Sequence, residues 1–148
     1  LPFDSNEFDY IFMRHMLAAL KKDQWDPLFR EIMRILKPGG VLESVEFEWY
    51  GHSMGPVHTQ FVAKWFEMTS KSREMDFQFT SKLEQTIKNV GFQNVNGIRK
   101  IVPLGKWDEK VGRVSEIWTS NLAEMAAGMK SLSSQIMEIT EEEWTDLR

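Results

Sequence analysis

Three groups of residues in this chain have side chains that could work on a small molecule. Arg14, His15 and Met16 follow directly on the apolar run Phe8–Met13 and offer a cation, an imidazole and a thioether. Glu46 and Glu48 stand two residues apart, so on a strand both carboxylates share one face. Either could orient an amine or hydroxyl, or act as its base. His52 and His58 lie just beyond, and an imidazole titrating near neutrality could deprotonate a nucleophile. The spacing of the two histidines matches no metal-ligand pattern and the nearby carboxylates sit on a strand, so no metal is expected. Each group also has a plain structural alternative: Met13 and Met16 in the core, Arg14 paired with a carboxylate, solvated glutamates, loop histidines. Trp49, Tyr50, Phe61, Trp65 and Phe66 form an aromatic set. Such rings could wall a site and attract a cation, but core packing ranks first.

The elements that would position these groups follow from periodicity. Phe8–Met13 is apolar without alternation, as in a strand buried on both faces of a parallel sheet. Trp25, Leu28, Phe29, Ile32, Met33 and Leu36 make a helical stripe over 25–36. Asp26 is placed to cap it and Pro27 to open it. Arg34 and Lys37 put positive charge at its end, and Pro38-Gly39-Gly40 stops it. Val41–Phe47 reads as the next strand. Strand, helix and strand form a βαβ unit, whose crossover is right-handed. In open α/β sheets ligands bind at the carboxyl ends of strands, which is where Arg14–Met16 and Glu46 fall.

Beyond the loop with Gly51, Gly55 and Pro56, a helix is expected from Val57 to Arg73, lined by Val57, Phe61, Trp65 and Met68, with Phe66 off the stripe. Ser81-Lys82-Leu83-Glu84 has the form of a capping box. It would start a short helix with Leu83, Ile87 and Val90, closed by Gly91. Val95–Val102 reads as a third strand, although Asn96-Gly97 also suits a hairpin turn. Asp108 would cap a long helix over Glu109–Met129, with Val111, Val114, Trp118, Leu122, Met125 and Met129 along one side. Thr140–Glu143 resembles a second capping box before Trp144 and Leu147.

Composition limits what the chain can do. Its 148 residues, 42% apolar and 27% charged, make one globular domain. Lys plus Arg number 18 against 22 for Asp plus Glu, a net charge of -4, which argues against a phosphate-gripping nucleic-acid surface. The absence of cysteine removes disulfides, thiolate metal sites and a cysteine nucleophile. Tyr10–Leu20 is too short and too polar to span a bilayer, no secretory signal opens the chain, and a cytoplasmic or nuclear setting is expected. The first residue is Leu1, on the approach to a strand, which reads as a piece of a longer protein.

Leu1-Pro2-Phe3, Phe8-Asp9-Tyr10-Ile11 and Leu36-Lys37-Pro38-Gly39-Gly40-Val41-Leu42 together resemble the middle of a class I S-adenosylmethionine-dependent methyltransferase. Glu43–Glu46, Gly91–Val95 and Val102-Pro103-Leu104-Gly105-Lys106-Trp107 are similar to its fungal branch, that of the LaeA-like regulators of secondary metabolism. The resemblance implies a partial Rossmann-like α/β fold: a parallel sheet core with flanking helices and a C-terminal helical segment. Residues 1–148 would be the C-terminal part of one methyltransferase domain, without its first three strands and its last. It implies S-adenosylmethionine as cofactor, with Met13, Arg14 and His15 lining its methionine end and the aromatic set beside its sulfonium. Glu46 and His52 are then the candidates for work on a small-molecule or protein methyl acceptor. The family's glycine-rich cofactor loop and acidic ribose partner are not in these residues, so the chain alone is expected to bind the cofactor poorly. The alternative is a non-catalytic module that holds a protein partner through its sheet edge or long helix. A nicotinamide oxidoreductase has no G-x-G-x-x-G to support it.

Overall fold

The computed structural model describes residues 1–48, 51–53, 55–102, 104 and 112–137. Strand β1 spans Phe8–Arg14, helix α1 Trp25–Ile35 and strand β2 Leu36–Val45. A 3-10 turn at Met16–Ala18 follows β1. Helices α2 (Pro56–Arg73), α3 (Thr80–Val90) and α4 (Gly112–Met137) complete the order. β1 and β2 are parallel and adjacent, as a βαβ unit requires, and the fold is α/β with helices around a parallel sheet.

The described residues fall into two compact units, one of Leu1–Gly55 with Phe66–Gly97, the other of Pro56–Trp65 with the described residues from Ile98 onward. The first has its core around α1, where Trp25, Phe29, Ile32 and Ile35 are buried. Trp25 stacks on Phe79 at 4.3 Å and lies 5.8 Å from Phe29. Phe66 stacks on Phe77 at 4.8 Å. Phe66 therefore belongs to this core despite lying off the expected stripe, and Thr69, one turn further along α2, is buried as well. In the second unit α4 buries Ser115, while Val114, expected on the inner stripe, is 50% exposed. The Asp108 cap and the segment from Thr140 lie outside the described residues.

Several local expectations change. α1 starts at Trp25 with Gln24 in the cap position, so Asp26 sits inside the first turn and pairs with Arg30 at 2.8 Å. α3 starts at Thr80 without a side-chain cap; the Ser81 hydroxyl donates to the Gln78 carbonyl and Glu84 pairs with Lys88. Gly91 does close α3, at φ 119°. Val95–Val102 is not a strand, and Ile98 and Ile101 are about three-quarters exposed, at 74% and 75%. A strand exists only through a paired neighbour, and among the described residues the sheet consists of β1 and β2.

Nor is β1 buried on both faces. Ile11 and Met13, with Leu42 and Ser44 opposite, make a half-buried face; Tyr10 and Phe12, with Val41 and Val45, lie on an exposed one. On the exposed face the Tyr10 hydroxyl donates to Glu43 at 2.7 Å, which raises the Tyr10 pKa, chiefly because ionisation would break that bond.

α1 ends at Ile35, just ahead of Pro38-Gly39-Gly40 as expected, but β2 begins at once with Leu36, so the run lies inside the strand and not in a loop before it. Phe8 pairs with Leu36 and Tyr10 with Val41, which sets Asp9 against the whole Lys37–Gly40 stretch in a bulge. The glycines serve it differently. Gly39 adopts φ 81°, which side chains resist. A Cβ on Gly40 would lie 2.9 Å from the Lys37 carbonyl oxygen and 3.2 Å from that of Asp9. Arg34 ties the lead-in to the unit: its guanidinium grips both oxygens of Glu31 at 3.0 Å and donates to the Phe3 carbonyl at 3.0 Å.

Candidate functional site

The parallel pairing brings the carboxyl ends of β1 and β2 side by side, with Arg14 opposite Val45. Backbone bonding continues one step beyond the strand, since the His15 N–H donates to the Val45 carbonyl at 3.0 Å. His15 then turns into the left-handed region, φ 56° and ψ 34°. Few non-glycine residues adopt that conformation, and it costs about 1 kcal/mol or more unless neighbouring contacts hold it. Here they do. The Glu46 carboxylate accepts the Met16 N–H through Oε1 at 3.0 Å and the Leu17 N–H through Oε2 at 3.0 Å. Three consecutive amides of the β1 exit are thus held by two consecutive residues of the β2 exit. Leu17 is buried beneath the turn, whereas Arg14 and His15 remain exposed.

Of the sequence-derived candidates, Arg14, His15, Met16 and Glu46 come together at this one end. Met13 belongs to the opposite, half-buried face of the sheet from Arg14. Glu48 and His52 are exposed in the segment after β2. The side chains of His58 and Phe61, and all of Trp49 and Tyr50, lie outside the described residues. Phe66 is engaged in the stack on Phe77, a packing role. The Ser44 hydroxyl, next to the β2 terminus, is buried without a hydrogen-bond partner. Sequence reading placed Glu46 at the strand end but missed its partners, because amides some thirty residues away leave no mark on local periodicity. Among the described residues no His, Asp and Glu side chains cluster as metal ligands would, and no helix is long and apolar enough to cross a membrane.

Comparison with known proteins gives this end of the sheet a context. Residues 1–43 match the model of a family described as a methyltransferase domain. They are the residues of β1, α1 and most of β2, so the βαβ unit carries the sequence pattern of a methyltransferase domain. A demethylmenaquinone methyltransferase of Listeria welshimeri serovar 6b is 30% identical over 112 residues, which is 66% of this chain and 47% of that protein. The chain thus spans about half the length of the curated relative it matches. No solved structure matches it.

Proposed function

We propose that this chain is part of an S-adenosylmethionine-dependent methyltransferase acting on a small-molecule or protein acceptor. The observation that carries the reading is that the segment matching a methyltransferase domain is the βαβ unit whose carboxyl end presents Arg14 and His15. That is where an open parallel sheet binds its ligand. S-adenosylmethionine, when bound, supplies an activated methyl group, and the protein's task is alignment.

The residues present fit one part of this cofactor. An exposed guanidinium at Arg14 suits a carboxylate, His15 stands beside it, and the buried Ser44 hydroxyl, opposite Met13 in the strand pairing, has an unused hydrogen-bonding capacity. Met13 and His15 complete the segment proposed to line the methionine end. His52, exposed after β2, is the proposed proton acceptor for a nucleophile. The Listeria relative makes demethylmenaquinone the first acceptor to test. Likeness to the fungal LaeA-like branch rests on the Val102–Trp107 motif and stays part of the proposal.

A second reading, a non-catalytic module that binds a protein partner, draws support from the exposed face with Tyr10, Phe12, Val41 and Val45. Calorimetry with S-adenosylmethionine on the full-length gene product separates the two. The enzyme reading expects micromolar binding, weakened about tenfold by Arg14→Ala, one guanidinium–carboxylate contact. His15→Gly is the cleaner companion, since glycine keeps the left-handed turn while removing the imidazole. No binding by the parent protein would favour the second reading.

A further inference from the structure

Glu46 entered as a candidate base, but its geometry describes different work. Both carboxylate oxygens are engaged, each by a backbone N–H of the turn after β1. Taking up a proton from an acceptor would weaken those two bonds at the moment of reaction. We propose that Glu46 is a positioning residue: through the Met16 and Leu17 amides it fixes the Arg14–Met16 segment that meets the cofactor. The inference rests on the methyltransferase reading and assigns it a specific residue.

Three features support it. The bonds are charge-assisted and bidentate, so they set both the place and the orientation of the turn. They act on the two residues after His15, whose left-handed backbone is the conformation that most needs holding. Glu46 also directly follows Val45, the residue whose carbonyl holds the His15 amide, so one strand end governs the whole exit of the other. A carboxylate meets this need where an amide does not. Glutamine has one acceptor oxygen, and its NH2 would face the other backbone N–H donor to donor.

The test uses the full-length gene product, with S-adenosylmethionine as the calorimetric probe and the Met16 and Leu17 amide protons as NMR reporters. Glu46→Gln should move both amide resonances upfield and weaken S-adenosylmethionine about tenfold, without changing the far-UV spectrum. Because Glu46 acts through the segment that carries Arg14, the pair should be coupled. Glu46→Gln with Arg14→Ala should bind little worse than either alone, not the roughly hundredfold worse of independent effects. A merely structural glutamate would not produce that coupling. If Glu46→Gln does not fold, Glu46→Asp, whose carboxylate falls one methylene short, undergoes the same two measurements. Affinity within twofold of the parent in a folded variant, or losses that multiply, would overturn the positioning role while leaving the methyltransferase reading intact. A parent protein that does not bind S-adenosylmethionine at all would overturn that reading and this inference with it.

Discussion

Phe29 and Phe12 lie in the same βαβ unit, and their environments predict responses of very different size to the same substitution. Phe29 is 0% exposed on α1, beside Trp25 and the buried Ile32, whereas Phe12 is 48% exposed on the open face of β1. Phe29→Ala removes a fully buried ring and leaves a cavity that close neighbours only partly fill, a loss of about 3–5 kcal/mol. A domain has about 5–15 kcal/mol in total, so about a fifth or more of the stability goes. Phe12 has already left half its surface in water, and Phe12→Ala should cost only about 1 kcal/mol. In thermal melts followed by circular dichroism, Phe29→Ala should lower Tm by about 10 °C or more and Phe12→Ala by a few degrees. Urea titration of both variants checks that the slope is unchanged, so that the midpoints compare stability alone. Equal shifts, or a larger one for Phe12→Ala, would show that the buried side of the unit has been assigned to the wrong residues.

The two glycines of the bulge should fail for different reasons. Gly39→Ala has open space but a left-handed backbone, costing about 1–2 kcal/mol; Gly40→Ala meets two carbonyl oxygens and should lose about 1–3 kcal/mol, and a denaturant midpoint unchanged for Gly40→Ala would refute the crowding. The Glu31 carboxyl is lowered from its ordinary value of 4.5, chiefly by its hydrogen bonds with the Arg34 guanidinium. A depressed carboxyl contributes stability above its unfolded pKa that is lost as pH falls below about 4.5 and through the lowered folded value. NMR titration should find the Glu31 carboxyl titrating below an ordinary glutamate, and Arg34→Lys, which gives up the two-pronged contact, should move it upward. Ser81→Ala should cost under about 0.5 kcal/mol by chemical denaturation, since the hydroxyl caps no amide of α3; a loss near 1 kcal/mol would restore the capping box.

The β1–α1–β2 unit was legible because its signals are local and agree. The stripe through Trp25, Phe29 and Ile32 has the helical period and those residues are buried. Turn chemistry read the Pro-Gly-Gly run as a stop, but not that the strand absorbs it as a bulge, since that depends on the Asp9 backbone alongside. Val95–Val102 has the residue types of a strand, but composition reports a capacity for pairing and not a partner. Phe77 and Phe79 escaped notice because they lie between helices, where no periodicity points inward, although both are buried against aromatic neighbours. At the candidate site, strand alternation and the rule of carboxyl ends put Arg14, His15 and Glu46 at one sheet end, whereas the bonds from Val45 and Glu46 to the amides of residues 15–17 are tertiary.

The bulge between α1 and β2 also bears on how the gene can vary in length. Beyond Val41 a single inserted codon would reverse the alternation, turning Leu42 and Ser44 outward and misaligning Glu46 with the turn it holds. Within Lys37–Gly39 the chain is already out of step with its neighbour, and the space around Gly39 is open. An extra residue there would lengthen an existing irregularity without inverting the strand. Insertions and deletions among homologous genes should therefore collect at this point and be rare from Val41 to Glu46, and a short peptide tag should be accepted at Gly39 before it is accepted at either strand end.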